Sequence, residues 1–222
     1  MTSSELAIEE QGLDQELENI LNHPAPAYGE KEYWNSRYDK TPKDTFEWFQ
    51  PWPQIRQYVS KYFINKGPVL NIGCGNSNMT NDLLADGFSK VTGIDYSQTV
   101  ITQMKQRTGS ASDQSLRIEF LTMDVASMSF SNNTFDFIFD KGTIDTLLCC
   151  DNGGKAVFAA MKEIARVLKP GGTFICISYG IEKTRKKYFT NPTLGISISE
   201  TITLQKPGIE TNHYIYIVKK NE

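Results

Sequence analysis

Hydrophobic and polar positions change rhythm near residue 68. Beyond it, short apolar runs alternate with segments whose apolar residues recur every three or four positions, the patterns of buried strand and amphipathic helix. Pro68-Val69-Leu70-Asn71-Ile72 reads as a buried strand, followed by Gly73-Cys74-Gly75 and a helix near Met79 to Ala85. Val91 to Ile94 predicts a second strand ending at Asp95, then a helix near Gln98 to Arg107. Ile118 to Leu121 and Phe135 to Phe139 predict the third and fourth strands. Val157, Met161, Ile164 and Leu168, at i, i+4, i+7 and i+11, mark one face of a long helix. Pro170-Gly171-Gly172 stops it, and Thr173 to Ser178 predicts a fifth strand. Two alternating segments, Ile196 to Leu204 and His213 to Lys219, close the chain around a Pro207-Gly208 turn.

Five strands separated by helical segments require parallel pairing with right-handed crossovers, whereas the closing pair has a turn too short for a crossover and must be antiparallel. The expected fold is therefore α/β: a doubly wound, mostly parallel seven-stranded sheet with an antiparallel C-terminal hairpin. Residues 1–30 differ from the rest. Leu13, Leu17, Ile20 and Leu21 form a helical stripe on an acidic segment that ends at His23-Pro24-Ala25-Pro26. The expected division is an acidic leader over 1–30, flexible or surface-docked, or alternatively a partner-binding helix, and a single domain over 31–222.

Composition narrows the classes. The 222 residues are 39% hydrophobic and 11% aromatic, enough for a sizeable core and against global disorder. A net charge of −3 argues against a sequence-independent nucleic-acid binder, which needs a basic face. No apolar run approaches the ~20 residues that span a bilayer. Up to Pro26 the chain carries Glu5, Glu9, Glu10, Asp14, Glu16 and Glu18 but no Lys or Arg, the opposite of secretory and mitochondrial leaders. Four cysteines without a Cys-x-x-Cys pair fit a reducing compartment, so the expectation is a soluble cytoplasmic protein. Cys74, Cys176 and the Cys149-Cys150 pair are expected to be small buried residues, the pair within an apolar helix. With His23 and His213 the only histidines, neither a metal site nor a histidine base is expected.

The chemistry gathers at strand ends. Gly73-x-Gly75 lies between a strand and a helix, where backbone can approach a ligand closely. Asp95 ends the second strand, about 20 residues on, where a carboxylate can accept both ribose hydroxyls. Two cofactors fit, a nicotinamide dinucleotide and S-adenosylmethionine. The dinucleotide fingerprint wants Gly or Ala at its third position, which is Asn78 here; adenosylmethionine has no pyrophosphate to seat and tolerates it. Asp124 can accept an adenine amino group while the Val125 N–H donates to the ring. Asp140 ends the fourth strand across the switch point from Gly73, followed by Lys141-Gly142-Thr143. Trp34 and Tyr38, four apart, share one face of a helix and can either cover a cofactor edge or staple the leader to the core. Glu182 to Lys187 is expected to be a basic loop after the fifth strand, either a solvated turn or a contact for an acidic substrate surface.

Three stretches carry a resemblance: Tyr33-Trp34-Asn35-Ser36-Arg37-Tyr38 with Phe46-Glu47-Trp48-Phe49, Asn71 to Ser77, and Asp140 to Leu147. Together they resemble class I, seven-strand, Rossmann-like methyltransferases over roughly Glu32 to Lys220, and within them the methyltransferase-like 13 group. Members of that group include protein-lysine methyltransferases acting on translation elongation factor 1-alpha. The resemblance implies S-adenosyl-L-methionine as cofactor, held by Trp34, Tyr38, Trp48, Gly73, Asp95, Tyr96, Asp124, Val125 and Lys141, with Gly75 from the glycine loop beside them. It implies a protein substrate, elongation factor 1-alpha by resemblance, while charge and hydropathy lead to the expectation of no nucleic-acid or membrane partner. Where the family has Glu before Lys-Gly-Thr, this chain has Asp140, one carbon shorter.

A lysine acceptor free in water has a pKa of about 10.4, so near pH 7 about one in 10³ is neutral, a deficit of roughly 4 kcal/mol that desolvation can partly offset. Asp140 is expected to position the acceptor ammonium, with proton loss to water, and Lys141 to pair with the cofactor carboxylate or a neighbouring acid. Two other readings stand beside lysine methylation: a small-molecule methyltransferase, since selectivity lives in edge loops, and a non-catalytic cofactor-binding scaffold.

Overall fold

Val69–Ile72 (β1) is buried along its whole length, which only a central strand covered on both faces can be. In the computed structural model, which describes residues 26–109, 117–205 and 212–222, it lies in the middle of a seven-stranded sheet. The other strands are Val91–Asp95 (β2), Ile118–Thr122 (β3), Phe135–Lys141 (β4), Leu168–Ser178 (β5), Ile196–Gln205 (β6) and Asn212–Lys220 (β7). Their order is β3-β2-β1-β4-β5-β7-β6. The first five run parallel, β7 is antiparallel to β5, and β6 is antiparallel to β7. This is the expected α/β sheet. The chain reverses at β1, between β2 and β4, and the carboxyl ends flanking that point are where open parallel sheets bind ligands.

The pleat sorts the core into two layers. Phe137, Phe139, Ile175, Ile177, Ile215 and Ile217 face one layer, while Ile138, Phe174, Cys176, Tyr216 and Val218 face the other. The helices are Lys31–Lys40 (α1), Trp52–Val59 (α2), Met79–Ala85 (α3), Gln98–Thr108 (α4), Thr143–Leu147 (α5), Gly153–Val167 (α6) and Glu182–Phe189 (α7).

Three local expectations are corrected. The long helix α6 ends at Val167, not at the Pro170-Gly171-Gly172 signal; Leu168 is already extended (φ −73°, ψ 134°) and pairs with Phe135. Its side chain continues the apolar stripe because the strand returns it to the same core layer. The segment from Glu182 is helix α7 rather than a loop, anchored by buried Arg185, Tyr188 and Phe189. Cys149 is exposed and Cys150 half-buried, because they lie in the turn between α5 and α6 and not inside a helix; Cys74 and Cys176 are buried. The leader's stripe and the Pro207-Gly208 turn lie outside the described residues.

Segment 26–50 matters most for the site. Its helix α1 buries Trp34 and Tyr38, one turn apart on one face. Gln103 of α4 donates to the Tyr38 carbonyl (3.0 Å), Ser97 donates to Asn35 Oδ1 (2.6 Å), and Arg107 donates to the carbonyls of Asp44 and Asn76 (both 3.0 Å). These bonds hold the segment over the carboxyl ends of β1 and β2.

Candidate cofactor and acceptor site

Under that segment lies a cleft of about 280 Å³. Trp34, Tyr38, Trp48, Gly73, Gly75, Asp95, Tyr96, Asp124, Val125 and Lys141 all line it, so the chain brings together the ten cofactor-binding candidates of the sequence. Asp140 is not among the lining residues.

The floor is the turn after β1. Gly73 and Gly75 have φ of +54° and +51°, in the left-handed region that a Cβ disfavours. At Gly73 a Cβ would stand 2.0 Å from Thr143 Oγ1, so the turn and the start of α5 interlock with no room for a side chain. At Gly75 it would stand 2.9 Å from the Tyr38 hydroxyl. The two glycines thus make room for Thr143 and for the Tyr38 hydroxyl, both of which line the cleft beside this turn.

Asp95 is 6% exposed and accepts from the backbone N–H groups of Gly75 (3.1 Å) and Ser97 (2.9 Å). Burial pushes its carboxyl up to about 6; the two N–H bonds and the nearby Lys31 charge resist that rise without cancelling it. A carboxylate has about four lone-pair sites, so Asp95 keeps capacity for two hydroxyl donors. Asp124 is exposed at the far end of the cleft and accepts from Ala126 N–H through one oxygen (2.8 Å). The rings of Tyr28, Trp34, Tyr38, Phe46 and Trp48 form the roof, with successive centroids 5.3–6.2 Å apart. The Trp34 indole is fixed by donating to the Tyr28 carbonyl at 2.7 Å.

Glu47 is the residue that local patterns missed. Its carboxylate accepts from Lys141 Nζ (2.5 Å), Ser77 Oγ (2.8 Å) and the Asn78 N–H (2.8 Å). Asn78 stands at the start of α3, in the third glycine position of a dinucleotide fingerprint. The donor that would face a pyrophosphate is therefore already engaged by a carboxylate of the chain itself. The residues present fit a nucleoside ligand without a phosphate and do not fit a dinucleotide. Lys141 is nearly buried, donates also to the Trp48 carbonyl (3.0 Å), and has its pKa lowered by burial against the opposing pull of Glu47.

Asp140 lies apart from the cleft-lining candidates. It is fully buried, and its two oxygens accept from Thr143 N–H (2.8 Å), Ile144 N–H (3.3 Å) and the Cys176 thiol (2.9 Å). On the β4 pleat it shares Ile138's side, toward the layer holding Ile144, and not the side of the aromatic roof. It caps the first turn of α5 with both oxygens engaged and does not line the cleft, unlike the ten cofactor-binding candidates. Burial pushes its carboxyl, like that of Asp95, up to about 6.

Known proteins are similar in the same sense. A family model described as a methyltransferase domain matches residues 70–176. The chain is 34% identical over 171 residues to the eEF1A lysine and N-terminal methyltransferase of Mus musculus, covering 76% of this chain but 24% of that protein. It thus spans about a quarter of the length of that relative. It is 31% identical over 183 residues to EEF1A lysine methyltransferase 4 of Mus musculus, covering 78% of this chain and 70% of the relative. Among solved structures, N-methyltransferase NodS from Bradyrhizobium japonicum in complex with S-adenosyl-l-homocysteine superimposes with a TM-score of 0.60. The superposition covers 85% of this chain and 99% of NodS at 17% identity, which is a likeness of fold.

Two outcomes follow from this geometry. Asp95 and Asp140 have folded-state pKa values raised to about 6 from an ordinary 3.8, so protonation favours the fold. Their contribution is complete below about pH 3.8 and lost as pH rises through about 6. The ligand-free chain is expected to gain thermal stability between about pH 7.5 and pH 5.5, and Asp140→Asn to show a smaller gain, as calorimetric melts would reveal. S-adenosylhomocysteine affinity is expected to move the opposite way, weakening as Asp95 loses its charge. Separately, Glu47→Gln leaves the Lys141 ammonium buried and uncompensated, and is expected to cost about 3 kcal/mol in denaturant unfolding. Glu47→Gln with Lys141→Met is expected to recover part of that loss, so the two effects are non-additive.

Proposed function

The chain belongs to the S-adenosylmethionine-dependent methyltransferases, and from that premise we propose that it methylates a lysine side chain of a protein substrate. Translation elongation factor 1-alpha is the substrate we propose, because the relatives' names point to it. The observation that carries the cofactor reading is the buried Asp95 beside a bare glycine turn whose neighbouring helix start is filled by Glu47. We assign residues 31–222 as the catalytic domain, with 1–30 as a leader. A reducing, cytoplasmic setting agrees with four free cysteines and with the absence, among the described residues, of a helix long and apolar enough to cross a membrane.

Bound adenosylmethionine supplies an electrophilic methyl group on a sulfonium centre, and the transfer is an in-line displacement. The protein's task is then positioning and desolvation. Asp95 accepts the ribose hydroxyls. Asp124 and the Val125 N–H take the adenine edge, and Tyr96 lies beside them. Gly73 and Gly75 admit the ligand to the floor. Trp34, Tyr38 and Trp48 cover it and exclude water. Lys141 acts through Glu47, holding the roof segment to the end of β4.

The acceptor approaches over Gly142. There a Cβ would stand 3.4 Å from the Phe49 ring, and Phe49 packs at 4.7 Å between centroids on half-exposed Tyr179. His213 adds a third ring at 5.1 Å from Phe49. An ammonium entering among these rings loses water, which lowers its pKa and offsets part of the roughly 4 kcal/mol needed for the neutral amine. The rings also hold the residual cation by their quadrupoles. The proton leaves to water.

The test is incubation of the chain with labelled adenosylmethionine and purified elongation factor 1-alpha, with mass spectrometry to locate the label. Methyl-lysine on that protein is the expected result; label confined to small molecules would overturn the substrate assignment. Calorimetry is expected to show adenosylhomocysteine binding and none of NAD. Asp95→Ala is expected to weaken the former more than tenfold, since it removes two charge-assisted hydrogen bonds of about 1.5–3 kcal/mol each.

A further inference from the structure

Away from the cleft, charge is spread unevenly. Helices α6 and α7 together carry seven basic side chains against two acidic, in a chain whose net charge is −3. Their two arginines are spent internally: Arg166 pairs with Glu163 (2.7 Å) and Arg185 with Asp145 (2.6 Å). Glu182, the other acid of the two helices, accepts from the Thr201 hydroxyl of β6 at 2.9 Å. Asp151, in the turn before α6, is exposed. The remaining cations are the exposed Lys155, Lys162, Lys183, Lys186 and Lys187, and none of the ion pairs among the described residues includes any of them.

These lysines form one surface. Lys155, Phe158 and Lys162, at i, i+3 and i+7, share a face of α6; Lys183, Lys186 and Lys187, at i, i+3 and i+4, share a face of α7. The two faces adjoin at Tyr188. Phe158 packs on its ring at 4.9 Å between centroids, and Lys187 Nζ lies 4.8 Å from the same ring's centroid. Six large apolar side chains are exposed among the described residues, and three of them, Phe158, Tyr179 and Ile181, stand on α6 or just before α7. The surface is also tied to the cleft. Asp145 accepts both from Arg185 of α7 and from the Tyr179 N–H (3.0 Å), and Tyr179 packs on Phe49, whose ring stands close to Gly142.

We propose that the exposed faces of α6 and α7 are a docking surface for an acidic segment of the protein substrate, distinct from the cofactor cleft. The proposal rests on the protein-methylation reading. Unpaired lysines around exposed apolar side chains complement a polypeptide whose carboxylates are interleaved with apolar residues, and such charge matching speeds encounter and fixes register. Phosphate is the poorer fit. Its planar recognition favours arginine forks, and both arginines here are already paired, in a chain that is acidic overall. A membrane surface fits no better: α7 has eight residues and turns Tyr188 and Phe189 into the core, which leaves no apolar face to insert. Because Asp145 holds α7 and Tyr179 together, a segment docked on the lysines lies at a fixed place relative to the acceptor approach beside Phe49.

The experiment is steady-state methylation of purified elongation factor 1-alpha by the full chain, at low and high salt, with polyglutamate as competitor. Three proteins are compared: wild type, the triple variant Lys183→Gln, Lys186→Gln, Lys187→Gln, and the same three positions changed to Arg. The Gln variant is expected to raise KM for the protein substrate about tenfold or more, with kcat and adenosylhomocysteine affinity within about twofold of wild type. The Arg variant keeps the charge and is expected to stay within about twofold of wild type. High salt is expected to bring the wild-type KM toward that of the Gln variant, and polyglutamate to compete with the protein substrate in wild type alone. An unchanged KM in the Gln variant would overturn the proposal. So would a loss of kcat or of adenosylhomocysteine binding equal to the rise in KM, which would make these lysines part of the scaffold. Stronger competition by a single-stranded oligonucleotide or by phosphatidylserine vesicles than by polyglutamate would overturn it in favour of a different partner. Failure of the underlying reading shows in wild type by itself: no methylation of elongation factor 1-alpha would remove that reading, and this inference with it.

Discussion

Lys141 leaves the end of β4 with its ammonium almost out of water, a position tolerable only because Glu47 reaches it from 94 residues earlier in the chain. That one carboxylate has three partners, and each fixes a different part of the molecule. Lys141 ties the roof segment to the sheet. Ser77 and the Asn78 N–H tie it to the turn after β1. A negative charge at the start of α3 completes the helix without any ligand, which is why the cleft suits a nucleoside and not a pyrophosphate.

Beneath the roof, Asp140 is a second carboxylate with a structural task. It gathers two N–H groups of α5 and the Cys176 thiol, so a short helix of five residues begins at a fixed height above the sheet. Thr143, held there, fills the space that a side chain at Gly73 would need and donates to the Ile72 carbonyl at 3.1 Å. Cap, helix start and glycine turn are one packed unit. An acid at the end of β4 therefore shapes the cleft without reaching into it, and a pH effect on this residue is read in stability before it is read in chemistry.

The neighbouring Asp145 shows the same economy. Its oxygens take Arg185 (2.6 Å), the Ser178 hydroxyl (2.5 Å) and the Tyr179 N–H (3.0 Å), which locks α7 against the end of β5. The basic run after β5 is thus split: Arg185 is buried and paired, while Lys183, Lys186 and Lys187 remain on the surface. The same network holds Tyr179 next to Phe49, whose ring stands close to Gly142 of the cleft.

Strand periodicity, helix stripes and the turn residues by themselves determined the seven strands, their parallel and antiparallel sense and the place of the glycine turn. Those features depend on residues within a few positions of each other, or on the rule that a short turn cannot support a crossover. Asp95 was legible for the same reason, being tied to its turn by strand length. Tertiary structure alone decided what each charge faces. Glu47 stood in a motif of the sequence without a role because its partner Lys141 is 94 residues away. Asp140 looked like an acceptor group because it ends a strand at the switch point, but the β4 pleat turns it toward α5. Arg185 looked like part of a solvated run until α7 folded it against Asp145. A local pattern fixes where a backbone goes; a buried charge is settled by whichever opposite charge or donor the fold brings within about 3 Å, and that neighbour is seldom near in sequence.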